Sequence, residues 1–122
     1  MVEVICDTSF LINLATRRIK NIDSLDVEIG TISFVVPEVV KTELLKLQMI
    51  PEKKHDIEKT LDFIKKFKTI PLSGSFADKE LVEYTKSNNS IIGTMDKELK
   101  KQVKHVGGSI LSFSNDKIIL ES

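Results

Sequence analysis

The chain is poor in the residues on which several kinds of chemistry depend. It carries one cysteine, Cys6, in 122 residues, so no internal disulfide can form. No Cys/His spacing of the zinc-binding kind is present. Cys6 ends the apolar run VEVIC, where a buried and inert thiol is expected. The two histidines, His55 and His105, stand far apart in Lys-rich polar stretches, and nothing resembles a nucleophile elbow. Arginine is almost missing: Arg17 and Arg18 are the only two, and the other basic side chains are lysines. Charge of one sign is also lacking, since 18 basic and 18 acidic residues give a net charge of zero. That balance argues against coating nucleic acid by bulk electrostatics and leaves room for a local basic patch. Long hydrophobic runs are absent; VEVIC and ISFVV are far too short to span a bilayer. Glu3 and Asp7 break up any signal-peptide pattern at the N-terminus, so a cytoplasmic location with no membrane partner is expected.

What is present is an ordinary globular composition, 41% hydrophobic and 30% charged, of a length suited to one domain over residues 1–122. Hydrophobic periodicity and end signals predict alternating elements. Strands are expected at Val2–Cys6, Thr31–Val36, Thr69–Leu72, Ser90–Met95, Ser109–Phe113 and Lys117–Leu120. Helices are expected at Phe10–Arg18, from Pro37 to near Pro51, at Lys53–Phe67, Phe76–Lys86 and Asp96–Val106. A polar connector covers 21–30, Ser73-Gly74-Ser75 makes a turn, and Gly107-Gly108 stops the last helix. Alternation of this kind predicts an α/β fold: a mainly parallel sheet with helices on both faces and all parallel strands ending at one edge.

Four acidic residues stand where that edge should be. Asp7 and Asp96 follow the first and fourth predicted strands directly. Asp78 falls early in the helix before the Asp96 strand, and Glu43 in the second turn of the helix opened by Pro37. Taken singly, each has a plain explanation: Asp7 and Asp96 as helix N-caps, Asp78 as a helix-dipole partner, Glu43 as a surface residue. Taken together, four carboxylates at one edge repel one another unless a cation lies among them. Hard oxygen ligands of this kind suit Mg2+ or Mn2+, and through such ions phosphodiester chemistry. Glu38, beside Pro37, can reach the same edge but is expected to complement the helix dipole, and Glu98, in the first turn after Asp96, is a minor candidate for supporting the site. Thr8, Ser9 and Thr94 flank the predicted site, with capping or strand pairing as their expected work and a contact to metal-bound water or phosphate as the second reading.

Lys97, Lys100, Lys101 and Lys104 share the helix after Asp96. They form either a solvated face or a patch for nucleic-acid phosphates. Arg17, Arg18 and Lys20 are a weaker candidate patch. The apolar side chains around Met49-Ile50 are candidates for a homodimer contact or for core packing.

The segments CDTSFLINL, VPEVVKTEL, ADKELVEY and IIGTMDKELKKQVK resemble the successive signatures of PIN-domain ribonucleases over essentially the whole chain. IIGTMDKELKK is closer to the rRNA-processing type and its archaeal relatives than to the average toxin. The resemblance implies a three-layer Rossmann-like fold and a magnesium- or manganese-dependent endoribonuclease acting on single-stranded RNA. Asp7, Glu43, Asp78 and Asp96 become its catalytic, metal-holding set. It further implies RNA as substrate, a role in RNA processing or as the toxin of a toxin–antitoxin pair, and an antitoxin, a ribosome-assembly factor or a second copy as partner. A PIN-like scaffold that binds RNA or a partner without cutting is the alternative. A phosphatase or phosphoacceptor domain using Asp7 as nucleophile fits less well, because Ser9 stands where a second Asp is usual.

Overall fold

The computed structural model describes residues 2–17, 19, 32–71, 77–88 and 91–121. Six strands form one sheet: β1 (Val2–Cys6), β2 (Ile32–Pro37), β3 (Lys68–Ile70), β4 (Ile91–Gly93), β5 (Ser109–Ser114) and β6 (Lys117–Glu121). Among the described residues five α-helices accompany them: α1 (Thr8–Thr16), α2 (Glu38–Leu47), α3 (Lys54–Phe63), α4 (Ala77–Asn88) and α5 (Lys97–His105). The strand order is β3-β2-β1-β4-β5-β6, parallel except for β6, which pairs antiparallel with β5. The expected three-layer α/β architecture is therefore present.

The two helical layers follow from alternation along the strands, which sends successive side chains to opposite faces. Val4, Cys6 and Val36 face one way and join Phe10, Leu11, Leu14, Val40, Leu44 and Ile57 from α1, α2 and α3. Ile5, Val35, Ile92 and Ile110 face the other way and pack on Leu81, Leu99 and Val103 from α4 and α5. β1 lies at the centre, buried on both faces, which is why VEVIC reads as almost continuously apolar. β2 and β4 flank β1, so the chain reverses its direction of progress across the sheet there. Crevices at the carboxyl edge beside such a reversal are where open α/β sheets place their sites.

Several element ends differ from expectation. Pro37 is the last residue of β2 and the N-cap of α2, with φ −66° and ψ 144°, rather than the first helical residue. The Lys53–Phe67 helix stops at Phe63, and a single 3-10 turn over Ile64–Lys66 then lets the chain leave in extended form. Phe67 still faces inward because it stacks on Phe34 and Phe63, at 5.7 and 5.2 Å between ring centroids. Periodicity through Phe67 was thus a true sign of burial and a false sign of helix. β4 ends at Gly93, so Asp96 lies three residues beyond the strand and not directly after it. The helix stop at Gly107 is as expected: at φ +85° it permits Gly108 N–H to bond the Val103 carbonyl at 2.9 Å and Gly107 N–H the Lys104 carbonyl at 3.1 Å. The expected connector over 21–30 and the Ser73-Gly74-Ser75 turn lie outside the described residues. No helix among the described residues is long and apolar enough to cross a membrane.

Candidate active site

The carboxyl ends of β1 and β4 are level, with Cys6 opposite Gly93, and Gly93 lies opposite Leu111 in the longer β5, which runs on to Ser114. Backbone bonding runs one step past the strands, from Asp7 N–H to the Gly93 carbonyl and from Thr94 N–H to the Leu111 carbonyl, both 3.0 Å. Asp7 and Thr94 are thereby set side by side on the edge.

Asp7 is only 6% exposed, which is unusual for a carboxylate. Its burial is tolerated because donors surround it. Asp7 Oδ1 accepts from Phe10 N–H at 2.9 Å, capping α1, and from the Ser9 hydroxyl at 3.0 Å. Its Oδ2 accepts a short bond from the fully buried Thr94 hydroxyl. The Thr94 oxygen in turn accepts from Asp96 N–H at 3.1 Å. One hydroxyl thus ties Asp7 to the backbone of Asp96, across 89 positions of sequence. Ser9 adds a second tie, accepting from Met95 N–H at 3.4 Å. Thr94 and Ser9 do more than the capping or strand pairing expected of them, and the local signal for it is slight: a hydroxyl two positions from each Asp.

Gly93 completes the support. A Cβ there would lie 2.8 Å from the Phe10 ring. Its absence admits Phe10, whose backbone N–H holds Asp7 and whose ring packs on Phe113 at 5.1 Å. Beneath Asp7 the Cys6 thiol is fully buried; burial first, then the neighbouring Asp7 charge, pushes its pKa well up. Cys6 is therefore the inert thiol expected from sequence.

Asp96 is exposed and caps α5, its Oδ1 accepting from Glu98 and Leu99 N–H at 2.8 and 3.1 Å. Both Asp7 and Asp96 are N-caps, as their individual sequence contexts suggested, and both stand at the same edge. Glu43 is exposed on α2 between the buried Val40 and Leu44. Asp78 is placed by its backbone alone, in the first turn of α4; its side chain lies outside the described part of the structure. The structure brings Asp7 and Asp96 together through Thr94. Among the described residues it does not gather three acids, cysteines or histidines tightly enough to hold one ion.

The donors present at this edge are carboxylate and hydroxyl oxygens, the chemistry that suits Mg2+ or Mn2+ rather than zinc. Thr8, next to Asp7, has a buried hydroxyl oxygen with no hydrogen-bond partner. A hard cation fits such a donor set.

The four lysines of α5 divide. Lys100 and Lys104 bind Glu121 on β6 at 3.2 and 3.1 Å. Lys97 and Lys101 are exposed. The Ser112 hydroxyl, bonded to the Glu121 carboxylate, is the largest cause that lowers its pKa to about 2, with Lys104 and Lys100 adding to it against a smaller cost of burial. Arg17 is also engaged, donating to the Asn115 carbonyl at 3.0 Å.

With this geometry in view, the comparisons with known proteins become specific. Residues 4–115 match the family of PIN-like domains. The chain belongs to that family. This PIN-like domain is 28% identical over 109 residues to ribonuclease VapC4 of Methanocaldococcus jannaschii, covering 84% of this chain and 83% of the relative. It is similar in structure to the PIN-domain endonuclease Utp24, with a TM-score of 0.79 and 26% identity over 98% of this chain and 90% of the other. A domain of a functionally unknown protein from M. jannaschii shares the fold, at 18% identity, TM-score 0.58 and 93% and 92% coverage. Family and relatives together support a nuclease.

Proposed function

We propose that this PIN-like domain is a divalent-metal-dependent endoribonuclease that hydrolyses phosphodiester bonds of single-stranded RNA. The observation that carries the reading is the buried Asp7 carboxylate at the reversal point of the sheet, held by three donors and linked through Thr94 to Asp96. A purely capping Asp needs the Phe10 N–H and little else; the added hydroxyl partners and the tie to a second acid are what a ligand site requires.

Asp7 and Asp96 would hold Mg2+ or Mn2+, with Asp78 and Glu43 completing the acidic set. Such a cation supplies Lewis-acid activation of water and neutralises charge that develops on the phosphoryl oxygens. The chain itself supplies position. Asp7 is fixed at both oxygens, so its geometry changes little when charge moves nearby. Asp96 is fixed at one oxygen by the first turn of α5, leaving the carboxylate on the solvent side, where a substrate strand arrives. Glu43, on the helix that rises from β2, is the candidate for orienting the attacking water.

The relatives named above include a ribonuclease and an endonuclease, and the resemblance of IIGTMDKELKK to the rRNA-processing type favours RNA maturation as the role. The same residues would serve a toxin; a small antitoxin gene beside this one would assign that role instead.

The test is incubation of the protein with structured and unstructured RNA in Mn2+, Mg2+ or EDTA, beside Asp96→Asn. Asn is as good an N-cap as Asp, so this variant keeps α5 capped while removing a charge. Its expected behaviour is loss of cleavage with the melting temperature of the metal-free protein equal or raised. Cleavage that survives both EDTA and Asp96→Asn would overturn the reading, and cleavage that needs the metal yet survives Asp96→Asn would assign Asp96 to capping alone.

A further inference from the structure

The two flanks of α5 meet different neighbours. One flank turns to β6, where Glu121 takes up Lys100 and Lys104. The other flank turns to α4, where Lys101, Gln102, His105 and Val106 join Val82 around an open groove of about 490 Å³. Val82 and Val106 are half-buried and give the groove an apolar floor; Lys101 and His105 are exposed along its rim. Lys97 is exposed, follows Asp96 directly as the first residue of the helix, and precedes Lys101 of the groove by four residues, about one turn. Glu98 is an acid on the same flank, at the end nearest Asp96.

Direction matters as much as composition. α5 starts at the carboxyl end of β4, where Asp96 caps it. α4 finishes at Asn88, three residues before β4 begins, so its N-terminal turn with Asp78 is at the same edge of the sheet. Both helices therefore run away from the candidate site, and the furrow between them leads from Asp78 and Asp96 to the groove. At about 1.5 Å per residue, Lys101 is about 7 Å along α5 from Asp96 and His105 about 13 Å. That length is covered by at most about four nucleotides of a strand at 3.4 Å or more each.

We infer that the α4–α5 furrow is the track of the single-stranded RNA as it leaves the site. Lys97 and Lys101 meet its phosphates, His105 lies at its far end, and a base rests on Val82 and Val106. The match is one of charge and shape: a cationic rim over a half-apolar floor fits a polyanion that carries flat apolar rings. Lys100 and Lys104 are excluded, because each already has a carboxylate partner in Glu121. The inference rests on the ribonuclease reading and narrows it, replacing a four-lysine patch by a directed pair.

The experiment measures binding of a fluorescein-labelled RNA decamer containing one 4-thiouridine, in EDTA, to protein carrying Asp96→Asn so that no cleavage intervenes. Lys97→Gln/Lys101→Gln should reduce the slope of log affinity against log salt by about 1.4, at about 0.7 per phosphate contact on a single strand. Between 50 and 200 mM salt the parent should thus lose about sevenfold more affinity than this double variant. Lys100→Gln/Lys104→Gln should leave the slope unchanged, and photo-crosslinks should fall on α4 and α5 around Val82 and Val106. Equal slopes for the two double variants, or crosslinks that fall mainly on other elements, would overturn the track. If the parent with Asp96 intact cuts RNA while the track fails, the ribonuclease reading stands without it. If the furrow captures a peptide and the decamer does not bind there, it is a protein-docking groove instead.

Discussion

Replacing Thr94 by valine removes one hydroxyl and little else, and it isolates the link on which the site reading depends. Thr94 is fully buried, donates to Asp7 and accepts from Asp96 N–H. A hydrogen bond to a charged group contributes about 1.5–3 kcal/mol, and a backbone N–H left without its partner costs about 1 kcal/mol or more. The expected loss in the metal-free protein is therefore about 2–4 kcal/mol, or roughly 8–16 °C in melting temperature for a chain of this length. Because Asp7 loses the donor that fixes Oδ2, cleavage should fall by roughly 10–100-fold, as when groups that orient metal-binding side chains are removed. The loss should appear in the manganese concentration needed for half-maximal rate as well as in kcat. Thr94→Ser keeps the hydroxyl and deletes a buried methyl; it should lose about 1 kcal/mol of stability on that account yet cut RNA within a few-fold of the parent. Activity would then follow the hydroxyl and not the melting temperature. If Thr94→Val, assayed while folded, cuts at the parental rate, then Thr94 only braces the fold and the coupling of Asp7 to Asp96 has no catalytic meaning.

Two further outcomes follow from Glu121 and Gly93. Glu121 has its pKa lowered to about 2 from the ordinary 4.5, so its contribution to stability is complete above about pH 4.5 and fades as pH falls toward 2. In urea melts, Glu121→Gln should be less stable than the parent at pH 7 and indistinguishable from it near pH 2; an equal deficit at both would remove the charge argument. Gly93→Ala drives a Cβ to 2.8 Å from the Phe10 ring, which should cost about 1–3 kcal/mol by overpacking. It should also slow cleavage, since Phe10 N–H holds Asp7; full activity in a destabilised Gly93→Ala would show that Asp7 does not depend on that contact.

Much of the architecture is written in short-range pattern. VEVIC and ISFVV read as strands because apolar residues on both faces bury their carboxyl-terminal ends, Val4–Cys6 and Val35–Val36, and α5 is legible from Leu99, Val103 and the Gly107 stop. What escaped is long-range. Thr94 bonds Asp7 across 87 positions, and no local spacing announces it. The division of the α5 lysines depends on Glu121, at the far side of the last hairpin. The overlong third helix and the overlong fourth strand share another cause: apolar side chains continue past the hydrogen-bonded element because packing continues there, through Phe67 in one case and Met95 in the other. Of the four acids, Asp7 and Asp96 stand at one edge, although Asp96 arrives there through two residues, Thr94 and Met95, that belong to no element.

Cys6 gives the site a built-in reporter. It is the sole thiol, it has no exposed surface, and it sits one residue from Asp7 in the central strand. A thiol reagent can reach it only when β1 parts from its neighbours or the whole chain unfolds. Under conditions where reclosing outruns labelling, the rate of modification reads the free energy of that opening. The same measurement made with and without Mn2+, or with and without RNA, tests the proposed binding at Asp7: a ligand held there would slow labelling, with no added probe and no turnover.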